Sequence, residues 1–387
     1  MGLKGYRGEV NGMWKFDFGP GEPVDGYTGV PPDCSYTAEQ GYGFENVDHV
    51  YGRERRLYGV TAPKDTLTRL RSRFCIPLGT AFVADVPEDG TYLVTVLLGD
   101  PLAETLTRLK AGEGKHVLPP LHTLPGQFTE ARFAVPIRGG KLSLAVSGTA
   151  PRLNALEIAP APQTLRLFLA GDSTVTDQDA SGYPYTGWGQ ALPALFKHDV
   201  CVDNHAVSGR SSKSFVDEGR LDVILAEMKA GDFLFIQFGH NDQKPDPERA
   251  TEPFTTYKEH LRLYIDGARS RGATPVLVTP VHRRCFNGDG TLSDTHGDYV
   301  TAVRELAEEA NVPLIDLAAR TQELYERLGP EASKELFMWL LPGEYMNFSS
   351  GLEDNTHFHE NGAVCIGDMV VDAVKELDLQ PLRMYLR

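Results

Sequence analysis

The stretch LFLAGDSTVTD, residues 167–177, runs four apolar residues into Gly-Asp-Ser-Thr and then turns polar. A short apolar run bounded by turn residues reads as a strand buried on both faces. The serine stands just past its carboxyl end, where open parallel sheets place their ligands. Ser173 is either one residue of an ordinary turn or a nucleophile held at a sheet edge. The second reading requires partners elsewhere in the chain.

Working outward, the same grammar recurs over residues 165–387. Apolar runs at 165–170 (LRLFLA), 200–205 (VCVDNH), 232–238 (DFLFIQF), 274–280 (TPVLVTP) and 312–317 (VPLIDL) alternate with segments of helical period such as LDVILAEMKA and YVTAVRELAEEA. That alternation predicts an α/β unit, a doubly wound parallel sheet of five strands. Residues 1–160 read differently, as an all-β sandwich of short alternating segments. TAFVADVPEDGTYLVTVLLGD predicts a hairpin at Asp89-Gly90, and ARFAVPIRGGKLSLAVSG a second at Gly139-Gly140. Leu142, Leu144 and Val146 share one face of a half-buried strand. APAPQT, residues 159–164, is the expected linker.

With 38 Lys+Arg against 53 Asp+Glu the chain carries a net charge of -15, which argues against a nucleic-acid or membrane-surface partner. An anionic substrate would need locally placed basic residues. The five cysteines are spread with no Cys-x-x-Cys pair, so neither a zinc site nor a disulfide framework is expected. The opening MGLKGYRGEVNGMWKFDFG lacks the apolar core of a signal peptide, and Tyr6 stands where a myristoylation motif needs Ser or Thr. Both observations lead to the expectation of a cytoplasmic protein. Oligomeric state is left open.

A nucleophilic serine needs a base, a group to orient the base, and donors for the developing oxyanion. EDNTHFHENGA, before a helix predicted over 363–376, offers Asp354 and His357 three residues apart, close enough for carboxylate to meet imidazole. NHAVSGRS ends the second strand with Gly209, whose N–H is not shielded by a Cβ. FGHND ends the third strand with Asn241, whose side-chain amide can donate. The Ser173 N–H is the third donor. Three strand ends and one C-terminal segment thus supply a complete acyl-transfer site.

Gly171-Asp172-Ser173, Gly209, Asn241 and Asp354-x-x-His357, in that order, resemble the four blocks of the SGNH (GDSL) hydrolases. Their surroundings GDSTV, NHAVSGRSS, FGHND and DNTHF are similar, more narrowly, to the rhamnogalacturonan acetylesterases. The resemblance spans about residues 165–387 and implies a flavodoxin-like sheet, hydrolysis of O-acetyl esters on pectic sugars, and no metal or other cofactor. The upstream half, with YTAEQGYGFEN at 36–46, resembles the galactose-binding-like sandwich that precedes some members.

Blander readings stand beside these. Gly209 can serve a tight turn, and Asn241 can cap a helix. His359 rivals His357, and an extended segment would point both rings the same way. Asp294, His296 and Asp298 read as an N-cap cluster before a helix starting near Tyr299. Trp188 is either core or a wall beside the acetyl group. Asp172 and His240, which flank the nucleophile and the amide, are further candidate substrate contacts. Arg210, Lys213, Arg283 and Arg284 are either solvated cations or holders of a galacturonate carboxylate. The competing functions are an acetylxylan or other short-chain acyl esterase and, from another class, a non-catalytic carbohydrate-binding protein.

Overall fold

The computed structural model describes residues 9, 10, 12–55 and 65–387. Tyr6, weighed above for lipidation, lies outside the described residues. The chain divides into two compact units, Met1–Thr164 with Lys197–Cys201, and Leu165–Phe196 with Val202–Arg387.

The first unit is a sandwich of two antiparallel-rich sheets. One has the order Glu9–Val10, Met13–Phe18, Ala155–Pro160, Gly90–Gly99, Phe128–Ile137, with Thr28–Val30 beside Met13–Phe18. The other has the order Lys115–His116, Thr105–Ala111, Lys141–Ser147, Thr80–Asp85, Tyr42–Phe44, with Leu121–Thr123 beside Thr105–Ala111. Between them lies an apolar core in which Phe16, Phe18 and Phe44 pack edge-on to Phe82 at 4.9–5.9 Å between ring centres. Leu142, Leu144 and Val146 all turn into this core, as period-2 alternation requires.

Both expected hairpins are corrected by the structure. Thr80–Asp85 and Gly90–Gly99 flank Asp89-Gly90 but belong to different sheets, and so do Phe128–Ile137 and Lys141–Ser147. The two turns are arches that carry the chain between layers. They stand side by side, with the Gly140 N–H donating to Asp89 Oδ1 (2.8 Å) and the Val86 N–H to the Gly140 carbonyl (2.8 Å). Each strand then finds its partner across the pair of arches, Gly90–Gly99 with Phe128–Ile137 and Thr80–Asp85 with Lys141–Ser147. The linker also starts later than expected, because Ala159 and Pro160 still belong to a strand. Pro160 is tolerated there as the terminal residue of that strand.

The second unit is built on a five-stranded sheet whose strands we label β1 (Leu165–Gly171), β2 (Val200–Asn204), β3 (Phe233–Gln237), β4 (Thr274–Val278) and β5 (Leu314–Ile315). Their order is β2-β1-β3-β4-β5, and the β1–β3, β3–β4 and β4–β5 pairs are parallel. Phe168, Ala170, Leu234 and Ile236 face the helices Lys258–Ser270 and Asp298–Ala310. Leu167, Leu169, Phe233 and Phe235, of opposite parity, are equally buried, so both faces are covered. The helix Glu360–Glu376 passes Trp188 and Ala191 at Gly367. No helix among the described residues is long and apolar enough to cross a membrane.

Candidate active site

The end of β1 is shaped by Gly171. A Cβ there would lie 2.6 Å from Val175 Cγ2 and 3.0 Å from the Gln237 carbonyl, so only glycine lets the chain leave the sheet at this point. Asp172 builds the turn that follows. Its Oδ1 accepts from the Thr174 N–H (3.0 Å) and hydroxyl (2.8 Å), and its carbonyl accepts from the Val175 and Thr176 N–H groups. Its Oδ2 meets His240 Nδ1 at 3.0 Å. Burial opposes the charge of Asp172, but the His240 ring and the Thr174 donors outweigh it and hold the carboxyl below its ordinary range. Ser173 is thereby fixed at the sheet edge.

The imidazole and its carboxylate come from the strand Leu352–Phe358, which forms a two-stranded ribbon with Phe337–Leu340. Phe337 opposes Phe358 while Trp339 opposes Glu353, so the four residues 354–357 stand opposite the single residue Met338. They bulge out, as a local excess of residues on one strand must. Asp354 Oδ1 accepts the N–H groups of Thr356 (2.7 Å) and His357 (3.1 Å), which closes the bulge. Asp354 Oδ2 lies 2.6 Å from His357 Nδ1, and His357 Nε2 lies 2.9 Å from Ser173 Oγ. Burial raises the Asp354 pKa, yet the His357 ring and these two N–H donors prevail and leave it lowered. An ionised carboxylate only accepts, so Nδ1 carries the proton and Nε2 is free to take the one from Ser173.

The expected oxyanion donors are the N–H groups of Ser173 and Gly209 and the Asn241 amide. Gly209 has φ +82°, a conformation that disfavours any side chain, and the space where a Cβ would stand is open. Among the described residues, the backbone N–H groups of Ser173 and Gly209 make no hydrogen bond. Asn241 is 3% exposed and donates one amide hydrogen to the Arg210 carbonyl (3.0 Å), next to Gly209. Its second hydrogen remains. Behind this loop, Asp242 accepts from the Ser212 N–H (3.0 Å) and hydroxyl and from Thr251, and burial pushes its pKa up to about 7.

Of the side chains expected to touch substrate, the structure places Asp172, Trp188, His240 and Arg284 inside the protein. Asp172 is fully buried in the turn just described. Trp188 is 1% exposed and donates to Gln237 Oε1 (3.0 Å), whose amide in turn reaches Thr174 Oγ1 (2.7 Å). It supports the nucleophile turn from the core instead of walling the acetyl group. His240 is buried against Asp172 and, edge-on at 4.6 Å, against His296. Arg284 clamps the triad segment: its N–H and guanidinium bind the carbonyl (2.7 Å) and side chain (2.8 Å) of Asn355, its Nε binds Ser333 (3.0 Å), and the guanidinium lies over the Trp339 ring. Arg210 sits near the oxyanion loop but pairs with Glu218 at 3.1 Å, and Lys213 pairs with Asp217 at 2.7 Å. Arg283 stays half-buried near His240.

His359 is the N-cap of the helix Glu360–Glu376, which begins three residues earlier than expected. Its Nδ1 accepts from Asn361 and its Nε2 meets the Tyr345 hydroxyl at 2.9 Å. Asp294 accepts the N–H groups of His296 and Gly297 before the helix Asp298–Ala310, while His296 turns inward with burial driving its pKa down to about 2. Two neighbours of Ser173 escaped sequence reasoning. The Tyr185 ring packs 4.9 Å from that of His357, and its hydroxyl reaches the Ser173 carbonyl (3.3 Å). The Gln178 amide donates to the same carbonyl (2.9 Å). Both follow β1 closely in the chain, so their location was foreseeable, but nothing in their spacing marks them.

The family model described as GDSL-like Lipase/Acylhydrolase matches residues 169–363, half of the chain, from just before Ser173 to just past His357. The chain belongs to this family. The GDSL-like acylhydrolase is accordingly a carboxylic ester hydrolase. Its sandwich matches a second model, the β-agarase/YXIM esterase-like, galactose-binding domain-like family, over residues 14–159. A rhamnogalacturonan acetylesterase of Bacillus subtilis (strain 168), RhgT, is 49% identical to the acylhydrolase over 222 residues, which cover 57% of this chain and 94% of the relative. The uncharacterized esterase YxiM of the same organism is 31% identical over 348 residues, 87% of each chain. The crystal structure of the Bacillus subtilis YxiM protein matches 95% of this chain and 99% of its own with a TM-score of 0.52 at 29% identity.

Proposed function

We propose that this acylhydrolase is a serine carbohydrate esterase that removes O-acetyl groups from rhamnogalacturonan oligosaccharides through an acetyl-enzyme. The observation that carries the reading is the unbroken relay Asp354–His357–Ser173, at 2.6 and 2.9 Å, with the N–H groups of Ser173 and Gly209 left without a hydrogen-bond partner among the described residues. The substrate follows from the likeness of the catalytic unit to an enzyme named for acetyl groups on rhamnogalacturonan.

Ser173 Oγ attacks the acetyl carbonyl carbon while His357 Nε2 takes its proton. Asp354 keeps the ring in the tautomer that can do so and stabilises the imidazolium. The N–H groups of Ser173 and Gly209, with the Asn241 amide, receive the oxyanion. His357 then protonates the leaving sugar oxygen as the carbon–oxygen bond breaks. Water, deprotonated by the same imidazole, attacks the acetyl-enzyme and releases acetate and Ser173.

The test is acetate release from acetylated rhamnogalacturonan set against acetylated xylan, with p-nitrophenyl acetate to reveal an acetyl-enzyme burst. A higher kcat/KM on the pectic substrate is expected. Preference for xylan would transfer the chain to another glycan, and the absence of turnover and burst on all three would favour a binding role.

A further inference from the structure

Three arginines near the site were candidates for holding an acidic substrate, and the structure separates them. Arg210 spends its charge on Glu218, and Arg284 is 6% exposed, enclosed by Ser333, Asn355, Pro330 and Trp339. Arg283 is different: all its hydrogen-bond partners among the described residues are neutral, namely the Thr295 carbonyl (3.1 Å) and hydroxyl (3.3 Å) from Nη1 and the His240 carbonyl (3.3 Å) from Nη2. The carboxylate whose field reaches it, Asp172, is already committed to His240 and Thr174. Burial acts against this guanidinium and pulls its pKa down. A partly desolvated cation that forms no ion pair among the described residues is an unfavourable arrangement that an incoming carboxylate relieves.

Its place in the chain brings it to the reaction. On one side it holds the carbonyl of His240, the residue before Asn241. On the other, the next residue, Arg284, donates its N–H to Asn355, the residue after Asp354. The guanidinium therefore lies against the segment that carries an oxyanion donor, and the backbone just after it is bonded to the segment that carries the base. Its Nε–H makes no hydrogen bond among the described residues and is not sealed from solvent. That N–H is thus open to an incoming carboxylate.

We propose that Arg283 is a specificity residue that receives a uronate carboxylate of the glycan whose acetyl ester lies at Ser173. This rests on the acidic-glycan reading given above and deepens it. The experiment compares kcat/KM on an acetylated rhamnogalacturonan oligosaccharide with that on the same oligosaccharide after reduction of its carboxyl groups, for the full chain and for Arg283→Gln and Arg283→Lys. The acid-to-reduced ratio is expected to fall about 10- to 100-fold in Arg283→Gln, as loss of a charged hydrogen-bonded pair implies, mainly through KM, and less in Arg283→Lys. The preference of the unmodified protein should also shrink with added salt. Because the readout is a ratio, any general damage to folding or to the His240 segment cancels. An unchanged ratio in Arg283→Gln, with the unmodified protein active on the acidic substrate, overturns this inference alone. An unmodified protein that turns over p-nitrophenyl acetate but neither oligosaccharide overturns the glycan reading as well.

Discussion

Two Asp–His pairs meet at the end of β1, and their difference separates chemistry from support. In each, a carboxylate Oδ2 faces an imidazole Nδ1, at 2.6 Å for Asp354–His357 and 3.0 Å for Asp172–His240. The side chains of the first pair are 26% and 29% exposed, and those of the second 0% and 4%. His357 Nε2 finds the Ser173 hydroxyl, whereas His240 Nε2 is buried with no hydrogen-bond partner among the described residues. Identical groups therefore do different work. The accessible pair can pass a proton to and from a substrate, and the sealed pair can only brace the turn on which Ser173 sits.

The largest effects should fall on the accessible pair and its serine. Ser173→Ala is expected to lose about 10⁴-fold or more in kcat, and Asp354→Asn about 10⁴-fold through loss of the productive tautomer. Single-turnover acetate release measures both. Near-normal turnover by either variant would break the comparison at its first term. Next comes the oxyanion side, where Asn241→Ala should cost about 10²- to 10³-fold in kcat with little change in KM.

Asp172→Asn should act on the fold instead. Its loss is expected near 1–3 kcal/mol in urea unfolding, since it weakens a charged hydrogen bond inside the protein. Its effect on kcat should be smaller than that of Asp354→Asn, and the reverse order would mean that the sealed pair takes part in the reaction. The smallest effect concerns Asp242, a buried carboxylate whose partners are hydroxyls and an amide. Its folded pKa of about 7 lies above the ordinary 3.8. The stability it contributes is therefore complete below the ordinary value and is lost as pH rises through about 7. Asp354 has the opposite sign: it is lowered in the folded protein, so its contribution disappears on acidification. Urea midpoints at pH 5 and pH 8 should differ less in Asp242→Asn than in the unmodified protein, and an equal difference would remove Asp242 from the pH response.

These distinctions mark how far the bare chain could be read. The five strands of the catalytic unit announce themselves because parallel strands covered on both faces are continuous apolar runs, and their ends then locate Ser173, Gly209 and Asn241. The arches at Asp89-Gly90 and Gly139-Gly140 were taken for hairpins because a turn that changes sheets uses the same residues as one that does not. Only the pairing of distant strands tells them apart. Asp172 and His240 are next to reacting groups in sequence and Trp188 is an aromatic residue soon after the nucleophile, yet all three are buried, held by contacts with His240, Asp172 and Gln237 that proximity in the chain does not reveal. Arg210, Arg283 and Arg284 are chemically equivalent on paper. Glu218 and the Asn355–Trp339 enclosure, distant in the chain from the groups they occupy or nearby only after folding, are what single out Arg283.

The bulge at 354–357 has a consequence for how such a protein can diversify. Asp354 ties down its own backbone, while Arg284 and the ribbon hold the segment from behind, so the proton-handling unit is a self-contained cassette. The exposed stretch immediately ahead of it, 341–351, reaches the cassette's far end through the Tyr345–His359 contact. Loop grafts of altered length in that stretch can therefore change the surface beside the cassette while leaving the cassette's geometry in place.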